Sequence, residues 1–310
     1  MRLLLTGGTG FVGRQLVPQL LAAGHAVSAA VRGPAPAGTT ALRLDDASPE
    51  AAWAEALRGV EALVHVAGLA HRLSDDPARA EADHRRINRD WTLTLGRAAH
   101  AAGITRCLFV STVYVHAVPP TGIAVTEATP VAPVGPYATA KAEAEAGLRE
   151  IFAEDSLVIL RPPLVYGPGA AGNLARLVQL GGSGLPLPLG AVANRRTLVS
   201  VGSLCRAVAA VLARWEMEPA SGSYVLGDAA PVSTGGMVTA IRDGLGRKAR
   251  LVPVPPALLR GLLRAAGKGA MAEQLLGDMA VDARAFARDF AWTPEADTLA
   301  GLRAMAASAR

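Results

Sequence analysis

The sequence predicts an α/β protein: a doubly wound parallel sheet wrapped by helices, then a smaller, mostly helical C-terminal domain. Three observations carry that prediction. Short apolar runs of strand length alternate with Ala-rich stretches of helical periodicity as far as Arg161. The first run opens through a glycine-rich turn into a helix. Beyond Arg161 the alternation fails and Pro and Gly crowd the chain, from Pro162, Pro163, Gly167 and Pro168 to Gly181–Pro188.

The first strand is Leu3-Leu4-Leu5-Thr6, and the turn is Gly7-Gly8-Thr9-Gly10-Phe11-Val12-Gly13. Apolar residues then recur at helical spacing through Leu16, Leu20 and Leu21. Strand, glycine turn and helix in that order aim backbone N–H groups and a helix N-terminus at a pyrophosphate, which makes this a Rossmann-type sheet. Gly7, Thr9, Gly10, Phe11, Val12 and Gly13 are therefore the expected cradle of a dinucleotide, NAD or NADP. Pro18 falls inside the expected helix, where it removes a hydrogen bond. Further strands are expected at Ala26–Val31, Leu42–Leu44, Ala62–Val66, Cys107–Ser111 and Leu157–Leu160. Residues 1–165 form the dinucleotide domain, with a returning segment near 196–226. Residues 166–195 and 227–310 form the substrate domain, with helices expected near 203–215, 233–245 and 257–267.

Composition excludes several function classes. Of the 310 residues, 51% are hydrophobic and 18% charged, enough for a core and unlike a disordered chain. No apolar run reaches the length of a membrane span and no leader pattern opens the chain, so a cytoplasmic location is expected. The net charge of +5 favours anionic partners. The arginines lack aromatic interleaving, which points to a phosphorylated small molecule and away from nucleic acid. Cys107 and Cys205 read as core residues, and the six histidines are too scattered for a metal site. His65 is expected to pack in the sheet, and His71 to lie on a loop overhanging the site. Residues Pro256–Lys268 space Arg260, Arg264 and Lys268 opposite Leu258, Leu259, Leu262 and Leu263. An ordinary helix burying its leucines is expected there, without membrane association.

Tyr137 and Lys141 stand four apart in a chain with four tyrosines and three lysines. On a helix such a pair shares one face, so an ammonium can sit beside a phenol and favour its ionised form. A free phenol, with a pKa of about 10, is a poor base without such help. Twenty-eight of the 31 basic residues are arginine, so lysine is the minority choice here. Its compact ammonium reaches both a phenol and a ribose.

With these stretches the chain resembles the extended short-chain dehydrogenase/reductases, in particular the nucleotide-sugar epimerase/dehydratase/reductase group. Besides Thr6–Gly13, the resemblance is carried by Asp46 before Trp53, His65-Val66-Ala67-Gly68, Asn88, Phe109–Thr112, Pro136–Lys141, Arg161–Pro168, Asn194-Arg195-Arg196 and Trp292-Thr293-Pro294. It implies that Thr112 polarises a substrate hydroxyl or carbonyl, with Ser111 its neighbour. Tyr137 would exchange the proton, Lys141 would grip the nicotinamide ribose while lowering the tyrosine's pKa, and Asn88 would support a proton relay. Asp46, Ala67 and Pro163 join the cofactor contacts by the same resemblance.

Dehydratases of this group carry Asp-Glu after the strand-end threonine, and this chain has Val113-Tyr114. The expected reaction is hydride transfer at a sugar C4, by a 4-epimerase or a 4-ketoreductase acting on a nucleotide-diphosphate sugar. Where NAD-using relatives end the second strand in an acid, the chain has Val31-Arg32, which favours NADP over NAD. Arg196, with Arg195 beside it, aligns with the family's diphosphate clamp, and Asn173 with a diphosphate or sugar contact. Leu187-Pro188-Leu189-Gly190 is expected to flank the base, and Leu164 replaces an asparagine of many relatives. The resemblance also allows a homodimer through two helices of the sheet domain. Two other readings stay open: reduction of a small non-nucleotide carbonyl compound, and a non-catalytic dinucleotide-sensing scaffold.

Overall fold

A computed structural model of the protein describes residues 1–70, 76–153, 156–295 and 297–309. Among these residues the strands are β1 (Arg2–Thr6), β2 (Ala26–Ala30), β3 (Thr40–Leu42), β4 (Ala62–His65), β5 (Arg106–Val110), β6 (Ser156–Arg161), β7 (Leu164–Tyr166), β8 (Leu198–Ser200) and β9 (Gly222–Val225). Seven of them form one parallel sheet in the order β3-β2-β1-β4-β5-β6-β9, while β7 and β8 pair separately. The order reverses direction between β1 and β4. At that switch point Thr6 is level with Ala30 on one side and His65 on the other, so a crevice opens at the strands' carboxyl ends.

The helices are α1 (Gly13–Ala22), α2 (Glu50–Ala56), α3 (Pro77–Arg85), α4 (Trp91–Ala101), α5 (Pro136–Ile151), α6 (Asn173–Gly182), α7 (Val201–Met217), α8 (Thr234–Gly244), α9 (Pro256–Ala265), α10 (Gly269–Leu276), α11 (Arg284–Asp289) and α12 (Thr298–Ala307). Successive strand residues point to opposite faces, which divides the core in two. Leu3, Leu5, Val64 and Leu108 meet Leu16 and Leu20 of α1 and Leu204, Val208 and Val211 of α7. Leu4, Leu63 and Phe109 meet Trp53, Leu95, Ala144 and Leu148 from α2, α4 and α5. With helices on both faces, β4 and β6 are buried along their whole length, which is why Ala62–Val64 and Leu157–Leu160 read as unbroken apolar runs.

α1 continues through Pro18, which lies on the exposed side of the helix. The third strand lies at 40–42 rather than the expected 42–44, and Arg43 leaves the sheet. β9, a half-buried strand opening on a glycine, was not anticipated as the seventh strand. Phe286, Phe290 and Trp292 come from the C-terminal part of the chain but pack in the α1/α7 side of the sheet core. The Trp292 indole N–H there donates to the Ser203 carbonyl at 3.0 Å. Helix α9 departs from expectation: Leu259 is buried and Leu263 packs beside it, but Leu258 and Leu262 stand exposed. The two lie about one-quarter turn away from the buried line, beyond the reach of the small core beneath.

Candidate active site

The glycine turn is built by close approach. Gly7 has φ +76°, and a Cβ there would lie 2.7 Å from the Ala67 nitrogen. At Gly13 a Cβ would come within 2.1 Å of the Gly7 carbonyl oxygen, which already accepts the Gly10 N–H at 3.0 Å. A Cβ on Gly10 would meet only that oxygen, at 3.2 Å, so its other side is open. No side chain caps the N-terminus of α1; the Arg14 and Gln15 N–H groups bond back to the Gly10 and Val12 carbonyls, at 3.0 and 3.1 Å, so the N–H groups that can meet an anion are those of the turn and of Gly13. Thr9 is exposed and its carbonyl accepts from Arg14 Nε at 2.9 Å; Phe11 and Val12 pack against the sheet core. These residues fit a dinucleotide pyrophosphate.

A buried chain of hydrogen bonds fixes the crevice floor. The Ala67 N–H donates to Thr6 Oγ1 at 3.2 Å, and Thr6 Oγ1 meets His65 Nδ1 at 2.6 Å. His65 Nε2 meets Thr92 Oγ1 at 2.9 Å, and that hydroxyl donates to the Asn88 carbonyl at 3.1 Å. One neutral tautomer of His65, protonated on Nε2, satisfies every link. Burial, then the Lys141 charge, hold its pKa down at about 3, and the ring stacks on Phe109 at 5.4 Å. His65 is thus the sheet-packed residue that its position suggested. His71 lies outside the described residues.

Above this floor Thr112, Tyr137, Lys141 and Asn88 converge. Gly135, with φ +86°, and Pro136 start α5, so Tyr137 sits in its first turn and Lys141 one turn on. Burial pushes the Tyr137 phenol up to about 12, hydrogen bonding to the Thr112 hydroxyl pulls it part of the way back, and Tyr114 raises it. Thr112 Oγ1 also accepts the Tyr114 N–H at 3.3 Å. Lys141 is buried, with Nζ donating to the Val110 carbonyl at 2.9 Å and standing 4.4 Å over the Phe109 ring. Burial lowers its pKa to about 7 against the opposing charge of Glu145. The expected lowering of the tyrosine pKa by Lys141 is therefore corrected for the protein alone. The ammonium is turned to a backbone carbonyl and is itself half-discharged near neutrality, so desolvation governs the phenol.

Asn88 is fully buried in a π turn, Arg86–Asp90, between α3 and α4. Its amide donates to the Leu69 carbonyl at 2.9 Å and accepts the Leu69 N–H at 2.7 Å. A Cβ on Gly68 would lie 3.1 Å from both Asn88 Oδ1 and Lys141 Nζ, which places those two polar ends on either side of one glycine. His84 touches the Asn88 amide at 3.2 Å and stands edge-on to the Tyr137 ring at 5.8 Å.

Glu145, one turn past Lys141, was not singled out from the sequence. Burial opposes its charge, yet Arg161 and Arg149 hold the carboxyl below its ordinary range. Arg161 Nε donates to Oε1 at 3.0 Å, and Arg149 Nη2 to Oε2 at 2.9 Å. Arg161 Nη1 also meets His116 Nε2 at 3.0 Å. Ser111 Oγ is buried without a partner of full hydrogen-bond geometry, although it lies near enough to help keep Glu145 ionised. A pairing four residues beyond a catalytic-type lysine was the available signal.

At the carboxyl end of β2 Val31 is buried and Arg32 exposed. Arg43 Nη1 donates to the carbonyls of Arg32, at 3.3 Å, and Gly33, at 2.9 Å, so a second guanidinium stands over the same turn. Asp46 is ion-paired with Arg86. Pro163 is buried between β6 and β7. Asn173 is exposed at the first turn of α6. Arg196 is half-buried, one nitrogen donating to the Gly277 carbonyl at 2.9 Å, and Arg195 is exposed. Leu187 and Leu189 turn into a small C-terminal core with Val192, Val238, Leu259 and Leu276, which leaves Pro188 and Gly190 exposed. Base-flanking side chains are not what these two leucines supply, because their apolar bulk is spent in that core.

A model of the NAD-dependent epimerase/dehydratase family matches residues 3–227. The UDP-glucose 4-epimerase of Vibrio cholerae is 30% identical over 303 residues, spanning 94% of this chain and 90% of that protein. The ceramide reductase of Caulobacter vibrioides is 30% identical over 265 residues, 82% of this chain and 74% of that protein. Among solved structures, a double mutant of the dTDP-glucose 4,6-dehydratase from Streptomyces venezuelae, with NAD bound, superposes with a TM-score of 0.78 at 26% identity. That match covers 99% of this chain and 96% of the other. By sequence over most of its length and by its sheet, glycine turn and Tyr-Lys helix, the chain belongs to the NAD-dependent epimerase/dehydratase family.

Proposed function

We propose that the protein transfers a hydride at C4 of a nucleotide-diphosphate sugar, as an NADP-linked 4-ketoreductase with Tyr137 as its acid. The carrying observation is the convergence of Thr112, Tyr137, Lys141 and Asn88 beside the glycine turn. The nicotinamide of a dinucleotide held against the glycine turn would supply the hydride. Tyr137 gives its proton to the oxygen on C4, and a phenol held near 12 is fully protonated for that task at neutral pH. Thr112 orients the same oxygen. Lys141 donates to the ribose, and Asn88 fixes the backbone at Leu69 beside the ammonium. Arg196, with donors beyond the one bonded to Gly277, clamps the diphosphate with Arg195, and Asn173 reaches the same group from the start of α6. Arg32 and Arg43 at one turn, with no carboxylate closing β2, favour a 2′-phosphate.

A second reading, 4-epimerisation, is favoured by the Vibrio cholerae relative and uses the same residues. Both are tested by incubating the protein with UDP-4-keto-6-deoxy sugars, UDP-glucose and UDP-N-acetylglucosamine, with and without NADPH. Stoichiometric NADPH oxidation marks the reductase, and sugar interconversion without net cofactor change marks the epimerase. Turnover that survives Tyr137→Phe refutes both. An Arg196→Ala variant with an unchanged KM redirects the assignment to a small non-nucleotide carbonyl compound.

A further inference from the structure

The net positive charge of this chain comes from one segment. Residues 244–272 contain six cations, Arg247, Lys248, Arg250, Arg260, Arg264 and Lys268, and no acidic residue. Without them the chain has 25 basic and 26 acidic residues, a net charge of −1, so this segment carries the whole excess.

The fold brings both halves of the segment to one small core. The Leu187 N–H donates to the Arg250 carbonyl at 2.9 Å, and the Val252 N–H to the Leu187 carbonyl at 2.8 Å, so residues 183–190 run beside 247–252. Gly184, Arg247, Lys248 and Arg250 line a cleft of about 170 Å³. Beneath it Arg242 is buried against the carbonyls of Gly181, Leu185 and Arg250, and burial, then the Arg250 and Arg247 charges, push its pKa down. No acid offsets that repulsion: Arg247, Lys248, Arg250 and Lys268 form no ion pair among the described residues. Arg260 and Arg264 share Glu273.

The same small core that joins Leu187 to Leu251 receives Leu259 and Leu263 of α9. Leu258 and Leu262, one turn apart, stay 55% and 58% exposed, and Leu185 stays 61% exposed. Ala257, Gly261 and Ala265 on the outer line of the helix are exposed and small, which lets its axis approach a flat surface closely. A polyanion would use the cations and leave the leucines in water. An anionic bilayer takes both, the leucines at the headgroup–acyl boundary and the cations among the headgroups.

We propose that α9 and the 247–252 segment dock this protein on an anionic lipid bilayer, with Leu258 and Leu262 inserted and Arg247, Lys248, Arg250 and Lys268 on the headgroups. The test is co-sedimentation of the full chain with vesicles of phosphatidylcholine alone or with about 30% phosphatidylglycerol added. Binding is expected on the anionic vesicles only, and it should weaken at high salt. Changing Arg247, Lys248 and Arg250 together to Gln should weaken partitioning on the order of 100-fold. Leu258→Ser with Leu262→Ser should weaken it by about tenfold or more. All five side chains are exposed, and unchanged thermal melts verify that the variants fold. The proposal is overturned by absence of sedimentation with anionic vesicles, by equal binding to phosphatidylcholine, or by a leucine variant that binds as the parent does. Heparin binding as tight as vesicle binding and untouched by the leucine changes would likewise replace it with a polyanion site.

Discussion

Replacing Gly13 by alanine tests whether the first turn is a dinucleotide cradle held by backbone contact. The new methyl carbon would start 2.1 Å from the Gly7 oxygen, 2.5 Å from Gly8 Cα and 2.7 Å from the Gly8 carbonyl carbon. Ordinary contact needs about 3.5 Å, so α1 and the turn must part by roughly 1.4 Å. All three obstacles are backbone, and no rotamer change relieves them. Overpacking of this kind costs about 1–3 kcal/mol in stability. The shift would also move the N–H groups of the turn and of Gly13 off a pyrophosphate. Losing two hydrogen bonds to a charged group, at about 1.5–3 kcal/mol each, lowers dinucleotide affinity by at least about 100-fold. Fluorescence titration with NADPH and a urea melt read the two effects. The control is Gly261→Ala in α9, where a Cβ meets nothing within 4 Å and the helix should gain about 0.5–1 kcal/mol. Unchanged NADPH affinity in the Gly13 variant would refute this account of the turn.

Three further outcomes follow from the same geometry. Lys141 is held near 7 in the fold against 10.5 unfolded, so the fold bears the cost of its charge below pH 7 and sheds it as pH rises toward 10.5. Lys141→Met should therefore be more stable than the parent at pH 6, with the gap closing by pH 10 in thermal melts; a gap that widens with pH contradicts the assignment. Glu145→Gln leaves Arg161 buried without its countercharge and should cost about 3–5 kcal/mol in urea unfolding, and a loss below about 1 kcal/mol would show that the pair is not structural. Arg32→Gln and Arg43→Gln should each weaken NADP binding by about 1.5–3 kcal/mol while NAD binding stays within about twofold, as read by calorimetry; equal losses for both cofactors would place these arginines elsewhere than at a 2′-phosphate.

Local pattern made much of this legible. The apolar runs ending at Thr6, His65 and Val110 are strands because helices cover both faces of the sheet, and unbroken hydrophobicity is the mark of that burial. Gly7 and Gly13 stand where only glycine fits, so their spacing announced the turn. Tyr137 and Lys141 shared a helix face by periodicity alone. What pattern did not carry is contact between distant segments. β9 is short and half-buried, and only its pairing with β6 makes it a strand. The π turn at Arg86–Asp90 has no distinct composition, yet it sets Asn88 beside Lys141.

The sequence by itself determined the parallel sheet, the dinucleotide turn and the Tyr-Lys helix, because strand alternation, helical period and glycine sterics are local properties. Tertiary structure decided the state of those groups. Burial, which no spacing encodes, puts the Tyr137 phenol near 12 and the Lys141 ammonium near 7. Packing likewise decided which leucines of α9 enter a core. Leu259 finds partners from 187–192 and Leu258 does not, because the chain that meets this helix covers one side of it only.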